Sequence, residues 1–498
     1  MLITKRENET PEEYNARQKS IVFVALKKFN PEKFSEITTD DIDVTGIDAG
    51  NMSYGFKVNI NGKQDYFLKF SKGKDNHKQL NAIMSVVDFA SIQNDSLMTP
   101  TPIKSEKDGI FVKEIIPDFG LPDELEGLTV SLQEFMEGKN AENLPRDDLK
   151  TVEEMARQIA KFHKYSEQYY KGHPEYVRES IPAESHKKLR PIEEIRKDLL
   201  ENFKIPKDKS FSDIVKDLIL GGSLFAKYKE ENLKFIAEHQ GLNSDQESKI
   251  KFLDRLKGVN QDIEKGMEGR VGKMFKVYAD LEPIYDRFNK LPRGIAHNDV
   301  HTGNYIVSKE NQVALIDFDD LIYQGIPLAD LGGLIVNLSL AKEEMRGGKL
   351  SLSTNRLEEI VKPVLVAYDS VKELTGRETR DVLLSTAAGY SGFFVDVISD
   401  ISNVKDNFNK LDLEIAPFNK IHDLPPFLDT ISKLAEIAFF PEKDLSQWLR
   451  DDKTKSLKHL DLETKVLDKS VLSEVKDKQE KSWVEKMSSR TPRGSKEL

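Results

Sequence analysis

Short runs rich in apolar residues recur in the first third of the chain. Val58 and Ile60 alternate with a polar residue, residues 66–70 are apolar except for Lys69, and the dipeptide Asn61-Gly62 lies between these two runs. Asn-Gly between two alternating runs is a strong hairpin signal, because both residues tolerate the positive φ of a tight turn. Further runs occur at residues 110–112 and 130–138. The pattern predicts a small antiparallel sheet within residues 46–137.

Apolar residues that recur every three or four positions predict helices elsewhere in the chain, most of them before or after the sheet region. The first has Thr10 as its N-cap and begins at Pro11, which suits the first helical turn. A long charged stretch, residues 169–290, is also helix-patterned and is interpreted as a largely helical insertion. The chain then ends in a predicted helix and a charged tail, residues 441–498. The other predicted helices are residues 11–29, 76–93, 151–168, 356–375 and 379–398.

Composition narrows the classes of function. The chain has 498 residues, of which 38% are hydrophobic and 32% are charged, as in a globular protein with a well-solvated surface. A formal net charge of -11 argues against a nucleic-acid partner, which would need a basic surface. The absence of cysteine excludes thiolate catalysis and zinc-thiolate sites.

The hydropathy pattern bears on location. No apolar run approaches the roughly 18 to 20 residues of a membrane-spanning helix, and no signal peptide is recognised. We therefore expect a cytoplasmic protein without a membrane span. Export that does not depend on a signal peptide remains open.

Chemistry-bearing residues concentrate in residues 294–320. Asp299 and Asn304 precede a predicted hairpin made of residues 305–307 and 313–316, and Asp317 follows it. Such a hairpin would bring Asp317 back beside the loop that carries Asp299 and Asn304. One carboxylate would then be available as a base, and two hard oxygen ligands would suit Mg²⁺. This set is what ATP-dependent phosphoryl transfer requires.

The same residues resemble a known family. The segment His297-Asn298-Asp299-Val300-His301-Thr302-Gly303-Asn304 is similar to the H-G-D-x-H-x-x-N loop of the aminoglycoside phosphotransferase and choline kinase superfamily, and residues 316–320 resemble its I-D-F/W-x-x strand end. The resemblance implies a two-lobed, protein-kinase-like α+β fold. The small N-lobe would hold an antiparallel sheet and a helix, and the C-lobe would be mostly helical with a helical insertion. Asn298 departs from the family's glycine, but Asn tolerates positive φ better than most residues.

The resemblance also assigns roles around the ATP and Mg²⁺ that it implies. Asp299 would be the catalytic base, with Asn304 and Asp317 as metal ligands. His297 and His301 would support the loop. Asp319 would be a further carboxylate near the metal, and Asp330, in a segment that resembles G-x-P-x-x-D-L, would brace the loop from behind.

The nucleotide side of the site is assigned from the first lobe. Gly50, Asn51 and Ser53 lie in a loop similar to the family's phosphate-binding G-G-x-S-N-x-x-Y, and Lys69 would contact the α- and β-phosphates. The family's helix glutamate, which holds this lysine, has no counterpart, so Asp88 is the best candidate. Backbone groups of Glu134 and Met136 would bind adenine in a segment that resembles the hinge between lobes.

Three functions stay open at this point. The first is a kinase that transfers the γ-phosphate of ATP to a hydroxyl of a small molecule. The second is a protein-directed kinase or a nucleotidyltransferase, including a bacterial effector, with the insertion recruiting the protein. The third is a nucleotide-binding pseudokinase scaffold. The predicted division is a helical extension (1–45), an N-lobe (46–137), a C-lobe (138–440) with the insertion, and the C-terminal helix and tail (441–498).

Overall fold

The structure is a computed structural model of the chain. It describes residues 9–47, 53–72, 77–115, 127–143, 148–183, 291–339, 354–387 and 442–451, with the single positions 125, 234, 237, 238 and 389. Most of the predicted helical insertion, residues 184–290 apart from three single positions, and the C-terminal segment after residue 451 lie outside these residues.

The N-terminal part is a five-stranded antiparallel sheet, in the order β1-β2-β3-β5-β4. The predicted turn joins β2 to β3, and both of its residues have positive φ, 53° at Asn61 and 67° at Gly62. Helix α2 packs against β4. The elements are α1 (Pro11–Phe29), β1 (Ile42–Ile47), β2 (Ser53–Ile60), β3 (Gln64–Lys72), α2 (His77–Ser91), β4 (Val112–Glu114) and β5 (Leu128–Glu134).

Helix α1 is part of the core of this lobe. Its start is fixed by a capping box between Thr10 and Glu13. Its apolar face, including Leu26 and Phe29, lies in one buried cluster with sheet residues such as Leu68. The segment predicted as an extension, residues 1–45, therefore contributes helix α1 and most of strand β1 to the N-terminal lobe, because the sheet has an apolar face that needs a cover.

The second part is mostly helical, with several short strands. Helix α3 lies at its centre and packs against α6, α5 and β9. Its elements are β6 (Lys139–Asn140), α3 (Leu149–Gly172), α4 (Pro174–Ser180), β7 (Gly294–Ala296), β8 (Tyr305–Val307), β9 (Val313–Leu315), β10 (Ile322–Gly325), α5 (Pro327–Ser339), α6 (Thr354–Asp369), α7 (376–387) and α8 (Glu442–Arg450).

These elements confirm the predicted α+β fold class, with an antiparallel sheet lobe followed by a helix-rich lobe. The predicted hairpin is present as β8 and β9, with Tyr305 opposite Leu315. Pairing of β7 with β10 was not predicted, because neither strand has more than four residues and their partners are distant in the chain. None of the helices in the described ranges is long and apolar enough to cross a membrane.

Candidate active site

The loop between β7 and β8, residues 297–304, is held by one buried carboxylate. The N–H groups of His297 and Asn298 donate to Asp330 Oδ2 and Oδ1, at 2.7 and 2.9 Å. Asn298 has a φ of 66°, the left-handed conformation that explains why asparagine is tolerated where glycine is usual. Asp330 lies in the first turn of α5, behind the loop.

A buried network continues behind Asp330. His163 Nε2 lies 3.0 Å from Asp330 Oδ2, and His163 Nδ1 lies 3.0 Å from the Tyr368 hydroxyl. Burial lowers the pKa of His163 below its usual value, and the hydrogen bond and charge of Asp330 offset this only in part. The ring is therefore neutral at pH 7, with Nε2–H donating to Asp330 and Nδ1 accepting from the hydroxyl. Asp330 is thereby oriented by a side chain from α3.

Asp299 lies within the loop and is oriented by Asn304. The Asn304 amide donates to the Asp299 carbonyl at 2.8 Å and to its carboxylate Oδ2 at 3.1 Å. Asn304 is buried, at 5% exposure. Because its Nδ2 is used in both bonds, its Oδ1 is the atom left to act as an acceptor or a ligand.

His301 lies on the open side of Asp299. Its Nδ1 accepts the Gly303 N–H at 3.0 Å, so in the neutral ring the proton is on Nε2. Nε2 lies 3.5 Å from Asp299 Oδ2, and the His301 side chain is 42% exposed. A hydrogen-bond donor therefore faces the carboxylate at the solvent side of the loop. His297 points the other way, with Nε2 3.1 Å from the Ile316 carbonyl.

Two asparagines that the sequence analysis did not single out also fix this loop. Asn337 Oδ1 accepts from both the N–H and the hydroxyl of Thr302, at 2.9 Å each. Asn140 donates to the Gly303 carbonyl at 2.6 Å. Both are far from the loop in sequence, and no local pattern identifies them as its partners.

The hairpin brings Asp317 to this loop. The Ile316 N–H donates to the Asn304 carbonyl at 2.9 Å, so the residue before Asp317 is joined directly to Asn304. Asp317 itself has a φ of 59°, which turns the chain sharply after β9. The predicted convergence of Asp299, Asn304 and Asp317 is thus present as a continuous chain of contacts.

Lys69 reaches this point from β3 in the other lobe. Its Nζ lies 2.8 Å from Asp319 Oδ2 and 3.0 Å from Asp317 Oδ1. The lysine side chain is 8% exposed, whereas those of Asp317 and Asp319 are 41% and 29% exposed. Burial by itself lowers the pKa of Lys69, but the negative charges of Asp319 and Asp317 outweigh it and raise the pKa above its ordinary value. The lysine is therefore held as a cation.

The structure does not bring Asp88 to Lys69. Asp88 pairs with Lys104 at 3.0 Å, and Lys69 takes its two carboxylates from the end of the hairpin. The expectation that Asp88 holds the lysine from α2 is thus not met in this arrangement. The physical reason is the competing cation: Lys104 lies nearer to the Asp88 carboxylate.

The proposed hinge follows β5. The Glu134 N–H donates to the Thr101 carbonyl at 2.9 Å, which leaves the Glu134 carbonyl, but not its N–H, as a group for a ligand. Met136 lies in the partly exposed linker that leads to β6. Of the glycine loop, Ser53 is the first residue of β2, and Gly50 and Asn51 lie outside the described residues.

The donor set fits a magnesium ion. Mg²⁺ is commonly bound through one or two protein oxygen ligands together with phosphate oxygens and water. Asn304 Oδ1, free of the amide's own hydrogen bonds, and the part-exposed Asp317 carboxylate are such oxygens. In the described residues there is no group of three or more His, Asp or Glu side chains that would form an all-protein cage.

Comparison with known proteins agrees with the sequence motif. The model of the phosphotransferase enzyme family, APH, matches residues 231–350, which include the loop 297–304 and Asp317. The resemblance predicted from the sequence is thereby confirmed for this segment. No curated protein matches the chain significantly.

Three solved structures illustrate the similarity. Choline kinase from Cryptosporidium parvum Iowa II is 14% identical with a TM-score of 0.40, covering 87% of this chain and 100% of its own. Spectinomycin phosphotransferase in complex with ADP and spectinomycin is 14% identical with a TM-score of 0.42, covering 83% and 98%. Plasmodium vivax ethanolamine kinase is 12% identical with a TM-score of 0.39, covering 86% and 99%.

Proposed function

We propose that the chain is an ATP- and Mg²⁺-dependent phosphotransferase that transfers the γ-phosphate to a hydroxyl of a small molecule. The observation that carries the proposal is the connected set of Asp299, Asn304, Asp317 and Lys69, which spans both lobes. This set contains a base, two oxygen ligands and a phosphate-binding cation, which are the groups that phosphoryl transfer uses.

Each residue has a distinct role in the proposal. Asp299 orients the attacking hydroxyl and accepts its proton, and Asn304 and Asp317 hold the Mg²⁺ that accompanies the nucleotide. Bound Mg²⁺ supplies positive charge to the phosphate oxygens. Lys69 binds the phosphates from the first lobe, and His301 Nε2, 3.5 Å from the Asp299 carboxylate, is a donor beside the base. Ser53, Glu134 and Met136 are proposed to line the nucleotide site.

A small-molecule acceptor is the form of the proposal that the family match supports, because the match covers the catalytic loop of a phosphotransferase family. A protein acceptor remains the alternative result of the test below. The pseudokinase alternative is less well supported, since Asn304 contacts the Asp299 carboxylate and its carbonyl is hydrogen-bonded to Ile316, the residue before Asp317.

The test measures transfer from γ-labelled ATP to panels of small-molecule alcohols and to proteins, for wild type and for Asp299→Asn. The Asn variant keeps the shape of the side chain but lacks a basic carboxylate. We expect wild-type transfer to a small molecule and a loss of about 10² to 10⁴-fold in the variant, with Mg-ATP binding retained. Equal turnover by both proteins would show that the enzyme proposal is wrong, and labelling of proteins alone would favour the protein-directed alternative.

A further inference from the structure

Lys69 has no partner on the helix that follows it. Helix α2 contains one acidic residue, Asp88, and that carboxylate pairs with Lys104. A lysine that binds phosphates from a buried strand must be held in one conformation, because a free lysine side chain loses much rotamer entropy when it is ordered. The chain must therefore supply this constraint from elsewhere.

The constraint comes from the strand end of the other lobe. Lys69 Nζ contacts Asp319 Oδ2 at 2.8 Å and Asp317 Oδ1 at 3.0 Å, and in the described part of the chain these are its only ion pairs. The two carboxylates differ in proposed role, in exposure and in distance from the lysine. Asp317 is the proposed metal ligand, is 41% exposed and has positive φ, whereas Asp319 is 29% exposed and lies closer to the lysine.

A carboxylate cannot serve both a metal ion and a lysine equally well, because the divalent ion offers the stronger charge. If Asp317 held Mg²⁺ with the nucleotide, Asp319 would be the carboxylate left to hold Lys69. Asp319 follows Asp317 by two residues, and both carboxylates already contact the same lysine.

We propose that Asp319 is the positioning residue of Lys69, and that it takes the place of a helix carboxylate in this chain. The inference rests on the proposed function, which it deepens by naming how the phosphate-binding lysine is held. The constraint crosses between lobes, so Lys69 reaches its working position only when the sheet lobe and the hairpin are together.

The test compares Asp319→Asn, Asp319→Glu and Asp320→Asn by steady-state kinetics and by direct binding of a fluorescent ATP analogue with Mg²⁺. We expect Asp319→Asn to raise the KM for ATP roughly 10- to 100-fold, with a smaller change in kcat. Losses of this size are common when a residue that orients a ligand-binding side chain is removed. Asp319→Glu should recover most of the loss, since it restores the charge. Asp320→Asn, which removes a neighbouring carboxylate that is not paired with Lys69, should leave the KM within about twofold of wild type.

A double variant separates this role from general damage to the fold. Lys69→Met and the double variant Lys69→Met/Asp319→Asn should have the same KM, because Asp319 acts through the lysine. Additive losses would overturn the proposal, as would an unchanged KM in Asp319→Asn. The proposal is also wrong if Asp88→Asn raises the KM and Asp319→Asn does not.

The two proposals fail in different ways. If wild type binds Mg-ATP but transfers no phosphate, the proposed function is wrong, and the binding measurements on Asp319→Asn still decide whether this residue positions Lys69. If wild type binds no Mg-ATP, the proposed function and the role of Asp319 fail together. The melting temperature of each variant shows whether it is folded.

Discussion

The two sides of the candidate site are held in contrasting ways. The loop 297–304 is fixed from behind by buried hydrogen bonds within one lobe, which its backbone N–H groups and the Thr302 hydroxyl donate to Asp330 and Asn337. Lys69 is fixed by ion pairs to Asp317 and Asp319 across 248 residues of chain, and both carboxylates are partly exposed.

The two kinds of contact differ in how easily they can be broken. A buried acceptor such as Asp330 cannot move away without leaving backbone N–H groups unsatisfied, which costs roughly 1–3 kcal/mol for each group. The carboxylates beside Lys69 are partly exposed, so water can replace the lysine as their partner at a much lower cost. The loop side is therefore rigid, and the side that carries Lys69 is adaptable.

The largest expected effect comes from removing the buried brace. Asp330→Ala should lower the free energy of unfolding by about 3–5 kcal/mol, because it leaves His163 and two loop N–H groups without their partner. The measurement is urea unfolding followed by circular dichroism. Asp43→Ala, which removes an exposed carboxylate on β1, is the matched control and should change stability by less than about 0.5 kcal/mol. Similar values for both would mean that the network does not stabilise the loop.

An intermediate effect is expected from pH. Burial depresses the pKa of His163 below 6.5 in the folded state, so the unfolded chain binds more protons and stability falls as the pH drops below 6.5. The contribution of this group approaches about 1.4 kcal/mol per pH unit. Unfolding free energies at pH 7.5, 6.5 and 5.5 should fall more steeply for wild type than for His163→Gln. Equal slopes for the two proteins would contradict a neutral, buried His163.

The smallest effect on stability is expected at the adaptable side. Lys69→Met should change the free energy of unfolding by less than about 1 kcal/mol, since the methionine fills the buried space and the two carboxylates keep access to water. Urea unfolding of this variant beside Asp330→Ala measures the contrast directly. A loss at Lys69 as large as that at Asp330 would mean that the cleft contact is as rigid as the brace.

Local features were predictable because they depend on neighbours in the chain. The Asn61-Gly62 turn, the Thr10 N-cap of α1 and the hairpin of β8 and β9 all follow from short patterns, and each is present. The positive φ at Asn298 also followed from the residue type that replaces glycine. Helix ends differed by a few residues, as for α3, which begins at Leu149 rather than residue 151.

Distant pairings were not predictable in the same way. Nothing in residues 11–29 indicates that α1 covers the first sheet, and nothing near Asn337 indicates that it holds Thr302. Asp88 was predicted to pair with Lys69, because it is the only acidic residue on its helix. In the structure Asp88 pairs with Lys104, and Lys69 pairs with Asp319. Such choices depend on which charges lie nearest in space.

The residues and the local geometry of the loop 297–304 follow from the sequence, because one short hairpin connects Asp299 and Asn304 to Asp317. The partner of Lys69 follows from the packing of the two lobes instead. That lysine comes from another lobe, and its partner is set by the distance between charges after the two lobes have packed, which no spacing along the chain records.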